Sequence, residues 1–137
     1  KDGPFYEEYP TEFTTMLLDG FFFTLCGLYD AVRALESEKA RHLFESGIQT
    51  IKHWLPRYDL GYWMRYNYCR EDFYPDPDPA TIGYLRLVIT QLKMMARLTG
   101  DSEFLQWAEH FSQYDRLPNI LKMYSVKYKA LKTLNRL

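Results

Sequence analysis

Three prolines fall within the short run Pro75-Asp-Pro-Asp-Pro79, and no helix can pass through it. Proline has no amide proton to donate, and its ring clashes with the turn before it. The run divides the chain, and on both sides apolar residues recur at the spacings of three and four that mark amphipathic helices. Before it, Leu17, Phe21, Leu25, Leu28, Val32 and Leu35 define one helix, capped by Thr14 or Thr15 and ending near residue 35. Ser37 caps a second, to residue 55, with Ala40, Phe44, Ile48, Ile51 and Trp54 on its apolar side and Pro56 as its stop. After the proline run, a third helix fits 81–98 and ends at Gly100, and Asp101 caps a fourth to about residue 114. Pro118 precedes a C-terminal helix at 119–134. Residues 1–13 read as an extended lead-in, and 57–70, with Tyr58, Leu60, Tyr62, Trp63, Tyr66 and Tyr68 around Gly61, as a short β-hairpin or extended segment.

The fold expected is all-α, a single domain over 1–137 built from two helical hairpins, 14–55 and 81–114, with the 119–137 helix as a tail. Such hairpins close into an α/α toroid or stack as a solenoid, and four or five helices are too few for a ring. An incomplete toroid or a small bundle follows.

At 137 residues with 47% apolar and 26% charged, the chain can bury a core, and whole-chain disorder is excluded. Lys and Arg number 17 against 18 Asp and Glu, so no cationic excess exists to release counterions from a nucleic acid. The uncharged stretch at 20–29 is about half of the ~20 residues that a membrane span requires. Cys26 and Cys69 form no metal-binding pattern and read as two thiols, with a disulfide left open. No metal or nucleotide site is visible, so no cofactor is expected. The opening Lys-Asp-Gly-Pro carries no signal segment, reads as an excised piece, and gives no compartment.

Aromatic residues reach 18%, including twelve Tyr. An aromatic core is one reading, and a groove lined by rings and hydroxyls, as in carbohydrate binding, is the other. Among polar candidates, His42 and His53 read as packed or solvated, His110 as surface, Asp76 and Asp78 as a solvated loop, and Lys122 to Lys132 as a solvated basic face or a contact for an anionic polysaccharide. Glu7 and Glu8 are adjacent on an extended segment, so at most one of them faces a site.

Six motifs in order resemble the C-terminal domain of the D-glucuronyl C5-epimerase family. They are Tyr6-Glu-Glu-Tyr-Pro-Thr11, Leu18-Asp-Gly-Phe21 with Gly27-Leu-Tyr-Asp30, Leu55-Pro-Arg-Tyr-Asp59, Trp63-Met-Arg-Tyr-Asn67, Tyr84 with Ile89-Thr-Gln-Leu92, and Thr99-Gly-Asp101 with Phe104, Trp107 and Tyr114. The resemblance covers nearly all of 4–120 and implies part of an α/α toroid. It implies an isomerase that removes the C5 proton of glucuronic acid residues in a heparan sulfate-like polysaccharide and returns one to the opposite face. By position it assigns catalysis to Tyr66, Tyr84, Tyr9 (or its neighbour Tyr6) and Glu8. It turns Arg65, Arg70 or Arg86 toward the carboxylate, with Asn67 and Tyr6 also near substrate, and it extends to a homodimer.

The chain departs from that pattern in two places. Tyr84-Leu-Arg-Leu-Val88 stands where the family has two histidines, and Tyr66-Asn-Tyr-Cys-Arg70 sets the arginine one position late. A non-catalytic, carbohydrate-binding or structural remnant is therefore the alternative to an enzyme. A third reading, a helical-repeat interaction module, requires a period of ~34 residues that the chain lacks.

Overall fold

The computed structural model describes residues 3–136. The chain is all-α. Its helices are α1 (Leu18–Leu35), α2 (Glu38–Trp54), α3 (Ile82–Thr99), α4 (Ser102–Ser112) and α5 (Leu117–Thr133), and a short 3-10 turn (Leu55–Tyr58) follows α2. α1 packs on α2, α3 on α4, and α1 on α3, so each hairpin closes on itself and the two meet along one pair of helices.

Local chemistry sets most helix ends. Ser37, Thr81 and Asp101 accept from backbone amides of the first turns of α2, α3 and α4, and Gly100 ends α3 at φ 72°. Ser37, Gly100 and Asp101 are the end signals expected from the sequence, whereas Thr81, expected as the first residue of the third helix, caps it from outside. α1 differs. It begins at Leu18 with no side-chain cap, because Thr15 is already engaged: its amide and hydroxyl both donate to the Glu7 carboxylate. Met16, at φ 52°, turns the chain just before the helix. Pro56 does not stop the chain from coiling. It sits in the first positions of the 3-10 turn, where no amide proton is needed. For the same reason Pro118 lies inside the first turn of α5 rather than ahead of it.

Among the described residues the 57–70 segment forms no hairpin strands. It makes single antiparallel bridges, Asp59 with Met64 and Arg65 with Pro79. Two of its amides close it on itself, Leu60 N–H donating to Trp63 O at 2.9 Å and Arg65 N–H to Tyr58 O at 2.8 Å. Two bond outward, Tyr66 N–H to Asp78 O at 2.8 Å and Tyr68 N–H to Thr15 O at 3.2 Å. The segment is a strap laid between the lead-in and the proline loop.

The core runs through every element. Phe21, Phe22 and Leu25 of α1, Ile51 of α2, Leu85, Leu92 and Met95 of α3, Phe104 and Phe111 of α4, Met123 of α5 and Trp63 of the strap are all buried. Each such side chain is worth about 1.5–3 kcal/mol on removal from water. Polar ties fasten the irregular parts. Tyr58 donates its hydroxyl to Met16 O at 2.6 Å, Trp63 its indole N–H to Ala80 O at 2.7 Å, and Gln91 its amide to Asp19 O at 3.1 Å.

Asp78 corrects the expectation of a solvated loop. It is 3% exposed and its carboxylate meets the Lys127 ammonium at 2.6 Å, so the loop is clamped to α5. Lys127 accordingly leaves the basic face expected at 122–132. Both cysteines are free thiols. No described helix is long and apolar enough to cross a membrane.

Candidate active site

Three tyrosines from distant segments approach one another at the lip of the strap. Tyr66 lies on the strap, Tyr84 in the first turn of α3, and Tyr9 on the lead-in. The rings of Tyr66 and Tyr84 are 4.8 Å apart, inclined at 54°. The Tyr84 side chain acts on the Tyr66 hydroxyl. A groove of about 360 Å³ opens between lead-in and strap, and Tyr9, Thr15, Tyr66, Tyr74 and Arg136 line it. Tyr9 is 52% exposed and Tyr84 37%.

The paired glutamates divide as their alternation requires. Glu7 turns inward and clasps Thr15 and Met16, its carboxylate accepting from both amides at 3.1 Å. Glu8 turns the other way, and its carboxylate acts on Tyr9. Glu8 also lies against Gly20, where a Cβ would fall 2.5 Å from its Oε2, so the close approach requires glycine there. Tyr6 and Tyr9 divide too. Tyr6 donates to Leu43 O at 2.7 Å and stacks on Phe21 at 5.2 Å, while Tyr9 stands in the groove.

The cations assigned by resemblance are held elsewhere. Arg65 pairs with Asp76 and lies over the Tyr68 ring. Arg70 rests 5.3 Å from the centroids of both Trp54 and Tyr68. Arg86 pairs with Asp115 at 2.7 Å. Asn67 is buried beneath the groove wall, donating to the Tyr74 hydroxyl at 2.7 Å and to Asp78 at 3.2 Å.

Four residues at or behind the groove were not singled out from the sequence. Asp19 is buried, and its charge acts on Tyr9 and Tyr66. Tyr74 and Arg136 form wall, and the Lys127 ammonium lies 5.1 Å from the Tyr66 ring centroid. Only Asp19 carried a signal, since it stands in the Leu18-Asp-Gly-Phe21 motif.

Burial drives the titration of this cluster. It pushes Tyr66 well above the ordinary phenol range, and Tyr84 adds to that. Burial raises Tyr74 to about 12, with the Asp78 charge in the same direction and the Asn67 amide opposing. Tyr9 is raised first by Glu8, and Asp19 by burial. The phenols are therefore protonated at neutral pH, and any that serves as a base needs a cation or donor to hold its phenolate.

A second polar knot lies apart in the chain. Asp59 accepts from the Tyr114 hydroxyl at 2.7 Å and sits 2.8 Å from His110 Nε2, tying the turn after α2 to α4. His110 is thus bonded rather than the surface residue expected. Burial works to raise Asp59, but the bonds from Tyr114, the Gly61 amide and His110 hold it below its ordinary value. Among the described residues no group of three His, Cys, Asp or Glu is placed to hold a metal.

The two helical hairpins thus carry an open groove walled by phenols of the lead-in and the strap. The chain belongs to the D-glucuronyl C5-epimerase C-terminus family, whose model matches residues 1–113. It is 29% identical over 122 residues to the D-glucuronyl C5-epimerase of Caenorhabditis elegans, an alignment that takes in 80% of this chain and 20% of that relative. The chain thus spans about a fifth of the relative's length, and α5 lies beyond the matched region.

Proposed function

We propose that the groove receives a glucuronic acid residue of a polysaccharide and inverts its C5 centre by proton transfer, and that the two hairpins are part of an α/α toroid. The C5 proton is acidified by the neighbouring carboxylate. When a base takes it, the electron pair moves into the carboxylate as an enediolate. A proton delivered to the other face then rebuilds the C5–H bond, with no net change in oxidation state. Two proton carriers and a stabiliser for the enediolate are required.

Tyr66, coupled to Tyr84, serves from the strap wall, and Tyr9, coupled to Glu8, from the lead-in wall. Once Tyr66 is ionised, Tyr84 donates to it, and the nearby Lys127 ammonium favours the charge. The observation that carries the reading is the contact of Tyr66 with Tyr84 beside a groove of about 360 Å³ that Tyr9 and Tyr66 line.

The test is incubation with a glucuronate polymer in deuterated water, reading deuterium at C5. Tyr66→Phe and Tyr84→Phe each lower incorporation by about 10²-fold or more while leaving the helical spectrum intact. The rival reading, a binding remnant, draws on the engagement of Arg65, Arg70 and Arg86 with other partners. Polymer binding without any C5 exchange overturns catalysis in favour of that remnant.

A further inference from the structure

A uronate carboxylate entering the groove needs a cation, most of all as it takes on enediolate charge. The three arginines nominated by family position are occupied, two of them by aspartates and one by aromatic faces. Lys127 is committed to the buried Asp78 carboxylate. Arg136 remains. It lines the groove with Tyr9 and Tyr66, close enough for its charge to act on Tyr74. Among the described residues no carboxylate pairs with it.

Arg136 is also built into position. α5 ends in a Schellman turn: Asn135 is left-handed at φ 53°, its amide donates to Lys132 O at 3.1 Å, and the Arg136 amide donates back to Leu131 O at 3.0 Å. That reciprocal pair closes a helix end and fixes the residue that follows the left-handed one. Farther up α5, the Lys127–Asp78 clamp at 2.6 Å anchors the helix to the loop beneath the groove.

We infer that Arg136, from outside the region shared with the family model, is the guanidinium that anchors the substrate carboxylate in this chain. A planar fork suits a carboxylate bidentately, which a lysine at the same place would not reproduce. The inference rests on the reading of the groove as a uronate site, and it makes α5 a determinant of acid over neutral sugar.

The test compares three variants, Arg136→Gln, Arg136→Lys and Arg41→Gln, by equilibrium binding and C5 deuterium exchange. The ligands are a glucuronate oligosaccharide, the same oligosaccharide with its carboxyl groups reduced to hydroxymethyl, and a sulfated neutral oligosaccharide. Arg136→Gln is expected to weaken the acid ligand by about tenfold or more and to erase the preference over the reduced one. Arg136→Lys recovers part of the loss. Arg41, paired with Glu38 on α2, serves as the charge-matched control and changes neither readout. Wild-type affinity for the acid ligand in Arg136→Gln overturns the inference alone. A wild-type protein that neither binds nor exchanges overturns the groove reading and the inference together. Arg136-dependent binding of the sulfated neutral ligand, without binding of the uronate, overturns the carboxylate assignment.

Discussion

Asp19 is a carboxylate where the protein's interior least favours one. It lies buried in the first turn of α1, and burial holds its native pKa above the ordinary value. The folded form therefore binds a proton more tightly than the unfolded chain. The destabilisation this causes is fully present above the native pKa and is relieved as pH falls below the unfolded value. Asp19→Asn is accordingly expected to raise the melting temperature by a few degrees at pH 7, with the gain shrinking toward pH 4; thermal denaturation at the two pH values checks it. At this scale the sequence was readable where the rule is local. Alternation separated Glu7 from Glu8, because neighbours on extended chain face opposite ways. It left Tyr6 and Tyr9 open, since both precede a turn, and the packing of Tyr6 on Phe21 is a long-range fact. Asp78 was misread for the same reason: its partner, Lys127, is far along the chain.

The clamp between the proline loop and α5 is the clearest case at the scale of elements. Lys127 is 12% exposed and Asp78 3%, so removing one partner strands a buried charge. Lys127→Met is expected to cost about 3–5 kcal/mol in urea denaturation. Asp78→Asn in the same chain recovers part of that loss, because no buried charge is then left alone. Caps at Ser37 and Asp101 were legible because an N-cap needs only its own turn. The start of α1 was not, because Glu7 engages Thr15 before it can cap. Nor was the placing of the strap, which closes on itself but also bonds through Tyr66 and Tyr68 to the proline loop and the lead-in.

Across the whole molecule, Phe21 stands where the parts join, touching Phe5 and Tyr6 of the lead-in and buried in the core common to both hairpins. Phe21→Ala is expected to cost about 3–5 kcal/mol, a large share of the about 5–15 kcal/mol that holds such a domain. Calorimetry should show the melting transition moving down as one cooperative event. The two-hairpin core could be read from periodicity alone. The gathering of Tyr9, Tyr66 and Tyr84 could not, for nothing in their spacing brings them together, and only resemblance pointed there. α5 read as a solvated face because its inward residues are few, among them Met123 and Ala130.

One wall of the groove is not itself helical. The lead-in is fastened by the Glu7 clasp on Thr15 and Met16 and by the edge-on contact of Phe13 with Phe73. Tyr9 rides on that latch. If the groove is the site proposed above, unfastening that short span of backbone would unmake it while the helices stay folded, and activity would then be lost ahead of structure.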